Sequence, residues 1–185
     1  NQLSDLPLEI GFPGNVDEIM NALEQGTPVP IPVGSNSVQL KLSFYMDKMP
    51  HGIVDKQVAG IGATSLEIDS KRNSIIVFPT KILAYNKWQR NKTKLLYVGG
   101  KINDERNTTS IKEIQSYLSD DKVVYKKFLV VADSLYKLLQ IIGKEHYKDY
   151  FLMIDEVDMI QSESNYRPRL ESLIDHYFEF PPKNR

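Results

Sequence analysis

The sequence predicts an α/β fold built on a mainly parallel β-sheet with flanking helices. Four short apolar runs, at 74–78, 95–98, 127–132 and 150–154, are continuous, as in strands covered on both faces. Helical patterns separate these runs, and strands that alternate with helices form parallel sheets with crossover connections. A length of 185 residues suits a single compact domain with a sizeable core.

Residues 1–50 are expected to form an accessory unit packed on a main domain at 51–185. Asn15 is placed to cap a short N-terminal helix. Prolines at 28, 30 and 32 then exclude helix and allow only an extended edge strand. Residues 38–46 alternate apolar and polar side chains, which predicts the second strand of a β-hairpin.

Two helices are predicted in the second half of the chain. Ser110 and Glu113 form a capping box that opens a helix at about 111–119. A second helix follows Asp133, where leucines recur at helical spacing.

Composition limits the chemistry and the compartment. The chain has no cysteine, which excludes disulfides and thiolate metal sites, and its three histidines lack metal-ligand spacing. Hydrophobic residues make up 41% and no apolar run approaches the ~20 residues that span a bilayer. The chain begins at Asn1 without a signal peptide, so a trimmed, cytoplasmic protein without membrane association is expected.

Two adjacent carboxylates follow the last apolar run. Asp155 and Glu156 end this run in YFLMIDEVD, and open α/β folds bind ligands at the carboxyl edge of the sheet. An acid pair there is suited to holding magnesium and orienting an attacking water during nucleotide hydrolysis. The alternative is that the acids only end the strand and cap the next helix.

The stretch AGIGAT, residues 59–64, has the glycine spacing of a phosphate-binding loop. Gly60 and Gly62 suit such a loop and Thr64 is a candidate magnesium ligand, but Ala63 stands where the loop lysine belongs. The following SLEIDS alternates in polarity, which predicts an extended segment in place of the usual helix. The alternative is that the glycines serve only a tight turn.

Four stretches together resemble, in their order and spacing, the first motor domain of superfamily 2, DEAD/DEAH-like helicases: AGIGAT, IIVFPTKILAYNK, FLVVADSLYKLL and FLMIDEVD. The resemblance covers roughly residues 50–160 and implies a P-loop NTPase-like fold that binds ATP and Mg²⁺. It implies that Asp155 holds the metal and that Glu156 acts on the attacking water. Because the family's Ser-Ala-Thr motif and second motor domain are missing, we expect a fragment of a longer protein.

The resemblance is weakest at the loop lysine, which in this family contacts the β- and γ-phosphates as a point charge. Ala63 removes that charge, and Lys56, seven residues earlier, is a candidate replacement. The alternative is that Lys56 is only solvated. The residues expected to bind the nucleotide are therefore Gly60, Gly62, Ala63, Thr64 and Lys56.

A basic segment supports a nucleic-acid partner, even though the net charge of −1 does not mark a dedicated nucleic-acid binder. From Lys81 to Lys101 there are six basic residues and no acid. The resemblance places the helix after the Pro-Thr motif against a bound strand, DNA rather than RNA. The expected contacts are Lys81, Lys87, Trp88, Arg90, Lys92 and Lys94. The alternative is a solvated face with Trp88 packed in the core.

The sequence leaves three functions open. The first is a nucleic-acid-dependent ATPase or translocase, of replication or mobile-element type, completed by a second motor domain. The second is a pseudo-ATPase that binds nucleic acid or a protein without turnover, and the third is an unrelated α/β domain with an accidental DEVD. The acid pair favours hydrolysis, whereas Ala63 opposes it because losing one preorganised donor can cost ~3 kcal/mol. The expected function is a helicase-like ATPase with a degenerate phosphate loop.

Overall fold

The structure is a computed structural model that describes residues 41–54, 60–155 and 167–185, with the side chains of the last range from residue 172 onward. The predicted N-terminal helix, the proline-rich strand and residues 38–40 lie outside these ranges.

The described residues form a four-stranded parallel sheet with the order β2-β3-β1-β4. Its strands are β1 (Ser74–Phe78), β2 (Leu96–Val98), β3 (Lys127–Val131) and β4 (Phe151–Ile154). Within β1, Ile76 lies opposite Leu129 on one side and Met153 on the other. All four strands fall within the predicted apolar runs, and the predicted α/β fold with a parallel sheet is confirmed.

Within the described ranges, five α-helices flank the sheet: α1 (Ala63–Asp69), α2 (Lys81–Gln89), α3 (Ile111–Leu118), α4 (Leu135–Ile142) and α5 (Arg167–Glu179). Short 3-10 turns occur at Leu42–Phe44, Ala132–Ser134, Lys144–Asp149 and Pro182–Asn184. The hydroxyl of Ser110 accepts the backbone N–H of Glu113 at 3.1 Å, as the predicted cap requires. The Glu113 carboxylate instead binds Arg106 at 2.5 Å.

The sheet separates two apolar layers. On one face, Ile76 and Phe78 pack with the buried side chains of α1 and α2. On the other face, Ile75 and Val77 pack with buried side chains of α3, α4 and α5. Because neighbouring residues of each strand enter opposite layers, the strands read as continuous apolar runs.

The predicted hairpin strand at 38–46 is wrong over its described part. Leu42–Phe44 form a 3-10 turn, and the N–H of Met46 bonds to the carbonyl of Leu42 at 3.1 Å. Leu42 and Met46 both pack against the layer that contains α1, whereas Phe44 between them is 68% exposed. The apolar residues of this segment thus use the four-residue spacing of a helical turn rather than the two-residue alternation of a strand.

The predicted extended conformation of SLEIDS is also wrong, because these residues form most of α1. Leu66, Glu67 and Ile68 are all buried, with Glu67 at 0% exposure. Alternation predicts a solvent-facing Glu67, but its carboxylate is buried among hydrogen-bond donors. A helix buried on several sides does not show a clean apolar stripe.

None of the helices in the described ranges combines the length and the apolar character that a bilayer crossing requires.

Candidate functional site

A glycine loop leads directly into α1. Gly60 and Gly62 have φ angles of 81° and 88°, in the left-handed region that favours glycine. Gly62 precedes α1, and its carbonyl accepts the N–H of Leu66 at 2.8 Å. The loop therefore needs its glycines for backbone conformation.

Lys41 lies across this loop. Its ammonium donates to the carbonyl of Gly60 at 2.8 Å, and the N–H of Leu42 donates to the carbonyl of Ile61 at 2.9 Å. The Cδ of Lys41 is 3.5 Å from the point that a Cβ on Gly62 would occupy. Sequence reasoning missed Lys41, because no local pattern connects it with a loop so far along the chain.

The threonine of the glycine loop meets the acid that follows β4. The C-terminal end of α1 lies beside the first residue of β1, so its N-terminal end with Thr64 lies at the carboxyl edge of the sheet. Asp155 is held at that edge, where its N–H donates to the carbonyl of Val77 at 2.9 Å. The Thr64 hydroxyl donates to Oδ2 of Asp155 across 91 residues of sequence. Both residues are buried: Thr64 is 7% exposed and Asp155 is 2% exposed.

The predicted nucleotide site also includes Ala63, Lys56 and Glu156. Ala63 is buried in the apolar layer beneath α1. Lys56 and Glu156 lie outside the described residues.

A cleft of about 200 Å³ opens beside Thr64 and Asp155, and α2 forms one wall. The lining residues are Thr64, Phe78, Leu83, Asn86, Lys87, Arg90 and Asp155. Three of these residues belong to α2, and Arg90 is its C-cap residue. Together they follow the spacing i, i+3, i+4, i+7, which places them on one face of the helical turn. Lys87 and Arg90 were predicted to contact nucleic acid, and they lie in the same cleft as Thr64 and Asp155.

Trp88 lies on another face of α2. Its ring is 5.7 Å from Tyr85 and 6.0 Å from Tyr97, and it packs partly buried against the apolar layer. The ammonium of Lys92 lies 5.0 Å and the guanidinium of Arg106 5.4 Å from its ring. This placement corresponds to the packed alternative for Trp88.

The other predicted basic contacts lie apart from the cleft lining. Lys94 pairs with Asp69 at 2.6 Å, and Lys81 extends over Gly100. Lys81 and Lys92 are exposed. The predicted nucleic-acid set is therefore divided between the cleft and the exposed surface.

A charged cluster that the sequence did not reveal lies at the amino edge of the sheet. Glu67 binds Arg72 at 2.5 Å and Ser74 at 2.5 Å, while the Lys127 ammonium donates to the Glu67 carbonyl at 2.7 Å. Burial alone would raise the pKa of Glu67, but hydrogen bonds from Arg72 and Ser74 and the nearby positive charges hold it below its usual value. Burial lowers the pKa of Lys127 to about 8, against the opposing effect of Glu67. The charge on Glu67 is neutralised within α1 and its neighbours.

The oxygen donors beside the cleft suit a Mg²⁺ ion, which needs few protein ligands, better than an ion held entirely by protein side chains. Within the part of the chain that the structure describes, no three His, Cys, Asp or Glu side chains group to hold a metal ion. Mg²⁺ commonly takes one or two protein oxygens and completes its shell with phosphates and water. Thr64 and Asp155 provide such a donor pair.

A larger cleft of about 410 Å³ lies between α4 and α5. It contains none of the predicted site residues, and its Lys144 and His176 side chains both contact the carboxylate of Glu179. We therefore place the candidate site at the smaller cleft, where the predicted residues converge.

Comparison with known proteins adds no relative: no family model, curated protein or solved structure matches the chain.

Proposed function

We propose that this chain is a helicase-like, nucleic-acid-associated ATPase domain that binds ATP and Mg²⁺ in the cleft beside Thr64 and Asp155. The hydrogen bond between these two residues carries the proposal, because it joins the glycine loop to the acid after β4. Such a juxtaposition at the carboxyl edge of a parallel sheet is what nucleotide hydrolysis by a P-loop fold needs. An accidental DEVD would not require a loop threonine beside its first acid.

Each side chain of the proposed site has a distinct role. The Thr64 hydroxyl and the Asp155 carboxylate hold the metal, directly or through water. Mg²⁺ supplies neutralisation of the charge that develops on the transferring phosphate. Glu156, the next residue in the sequence, orients the attacking water and accepts its proton.

Single-stranded DNA is the proposed second ligand. Its phosphates are expected to contact the exposed Lys81 and Lys92, which lie outside the cleft lining. We further propose that a second motor domain completes the site with arginines.

A binding role without turnover is the second candidate, and Ala63 favours it. This residue is 4% exposed and packs in the apolar layer. Its methyl side chain carries no charge for the phosphates. Losing one such donor lowers hydrolysis rates by about 10²–10³. The second candidate therefore shares the proposed binding site but does not turn over ATP.

Binding of a fluorescent ATP analogue, with and without Mg²⁺, tests the site. We expect Asp155→Asn to weaken Mg²⁺-dependent binding by about 10- to 100-fold. Asp149→Asn is the matched control, because Asp149 is an exposed acid just before β4 whereas Asp155 directly follows it. Equal binding by the wild type and Asp155→Asn would contradict the proposal.

Hydrolysis separates the two candidates. Phosphate release measured with single-stranded DNA, in the wild type and in Glu156→Gln, reports turnover directly. Release that disappears in Glu156→Gln supports the ATPase. Binding without release in either protein supports the pseudo-ATPase.

A further inference from the structure

We infer that Lys87 of α2 and Arg90, the C-cap residue of this helix, supply at the phosphate chain of the nucleotide the positive charge that Ala63 cannot. This inference rests on the proposed nucleotide site and names the residues that recognise its ligand. It reassigns two side chains of the basic segment from nucleic acid to the triphosphate.

The geometry of α2 carries the first step. Lys87 and Arg90 are three residues apart, so they share a helix face, and both line the cleft that contains Thr64 and Asp155. Leu83 and Asn86 continue the same face. The two cations thus line the same cleft as the proposed metal donors.

The size of the cleft defines the part of the ligand that it takes. Pockets for whole small molecules usually measure about 300–1,000 Å³. The volume here is about 200 Å³, which suits a phosphate chain with its ion and leaves the nucleoside outside. The ligand class is therefore an oligophosphate, and affinity should depend on phosphates more than on the base.

The charge of a triphosphate requires cations in the cleft. A triphosphate brings several negative charges beside the buried carboxylate of Asp155, and like charges in a confined site repel unless cations compensate them. Arginine binds phosphate oxygens with a planar fork and lysine binds them as a point charge. Lys87 and Arg90 together provide both modes in the cleft.

The rest of the basic segment provides the contrast. Lys81 and Lys92 are exposed and do not line the cleft, and Lys92 contacts Trp88 on a different face of α2. These two are suited to an extended strand passing over the surface, whereas Lys87 and Arg90 are suited to a compact anion. The basic segment therefore divides the two kinds of phosphate contact between the cleft and the exposed surface.

The test compares two double variants with equal change of charge. Affinities for Mg·ATP, for inorganic tripolyphosphate and for single-stranded DNA are measured by titration. In Lys87→Gln with Arg90→Gln we expect Mg·ATP affinity to fall about a hundredfold, about tenfold for each cation. In Lys81→Gln with Lys92→Gln we expect less than about a threefold change, and tripolyphosphate should compete with ATP in the wild type.

Three outcomes would overturn the inference. One is unchanged Mg·ATP affinity in the Lys87 and Arg90 double variant while Asp155→Asn loses it, which leaves the nucleotide site standing. Another is a loss of DNA binding alone in that double variant. The third is a wild type with no ATP affinity, which removes the proposed function as well.

Folding of the variants is checked by their urea midpoints. Should the double variant unfold, the single Arg90→Gln replaces it, because Arg90 is exposed and its loss leaves the core intact. An approximately tenfold loss of Mg·ATP affinity in this single variant supports the inference, and wild-type affinity overturns it.

Discussion

Glu67 shows how a single residue of α1 can be structurally essential without belonging to the candidate site. Its carboxylate is fully buried and bonded to Arg72 and Ser74, and Lys127 reaches the same place from β3. These contacts connect α1 with the first residues of β1 and β3. The position of Thr64 at the other end of α1 therefore depends on this cluster.

We predict that Glu67→Gln lowers the free energy of unfolding by about 3–5 kcal/mol, because it leaves the buried Lys127 and the partly buried Arg72 without their counter-charge. Urea unfolding at pH 7 measures this. Glu113→Gln is the control, since Glu113 pairs with Arg106 at a partly exposed position where ion pairs contribute about 0–1 kcal/mol. Equal effects of the two variants would contradict the assignment.

The same residue predicts a pH dependence. The pKa of Glu67 lies below its usual value of 4.5 in the folded protein, so the unfolded chain binds its proton more readily. Its contribution to stability is complete above pH 4.5 and is lost as the pH falls through the folded pKa. The stability difference between the wild type and Glu67→Gln should therefore shrink on acidification below pH 4.5, as urea midpoints would show.

Among single residues, the sequence predicted those site residues that belong to local motifs. Thr64 and Asp155 were identified by their neighbours in AGIGAT and FLMIDEVD, and they do lie in contact. Lys41 and the partners of Glu67 come from distant parts of the chain, and no local spacing identifies such contacts. The cleft position of Lys87 required knowing which face of α2 turns toward α1.

At the scale of elements, the junction between the glycine loop and α1 requires a glycine at one position. Gly62 combines a φ of 88° with an open environment, since the nearest atom to an added Cβ is 3.5 Å away on the flexible Lys41 side chain. The requirement for glycine is therefore conformational and does not arise from crowding.

We predict that Gly62→Ala destabilises the protein by about 1–2 kcal/mol, the cost of a left-handed conformation for a residue with a Cβ. Gly100→Ala is the control, because no positive φ is found there and only the Lys81 side chain is near. Thermal unfolding compares the two. A harmless Gly62→Ala would mean that the loop does not hold this conformation in solution.

The helix α3 offers a second test at this scale. Ile114 is 0% exposed in the layer with α4, whereas Ile111 is 53% exposed. We predict a loss of about 2–5 kcal/mol for Ile114→Ala and about 0.5 kcal/mol or less for Ile111→Ala, measured by urea unfolding. Similar losses for both would place α3 in a different orientation.

Element type was predictable wherever a run was continuously apolar or an element had a defined start. The capping box at Ser110 and the four apolar runs met that condition. The segments 41–46 and 64–70 did not, because each is too short for two-residue and 3.6-residue periods to be distinguished. In both segments the tertiary contacts of a helical turn decided the outcome.

For the whole molecule, the proposed ligand should stabilise the fold that binds it. At a concentration of Mg·ATP about 100 times its dissociation constant, the free energy of unfolding should rise by about 2.7 kcal/mol. For a chain of this size that corresponds to roughly 5–10 °C in Tm. Asp155→Asn should lose most of this shift and Asp149→Asn should keep it, and a shift that survives in Asp155→Asn would place the nucleotide elsewhere.

The parallel sheet was predictable as a class, because continuous apolar runs between helices allow few other arrangements. The strand order β2-β3-β1-β4 was not predictable from these patterns. It places β1 between strands from much later in the chain, with Ser74 opposite both Lys127 and Phe151. Apolar periodicity states that a strand is covered but does not state which strand lies beside it.

This long-range pairing has a consequence for biosynthesis. At about 5–20 residues per second, a ribosome needs roughly 5–18 s to add the 91 residues that separate Thr64 from Asp155. Once β1 has been made, its β4 edge stays unpaired until that strand has been added. The cleft gains the carboxylate of Asp155 only when this late strand docks. Chains released early by the ribosome would therefore present the glycine loop without the acid that Thr64 contacts.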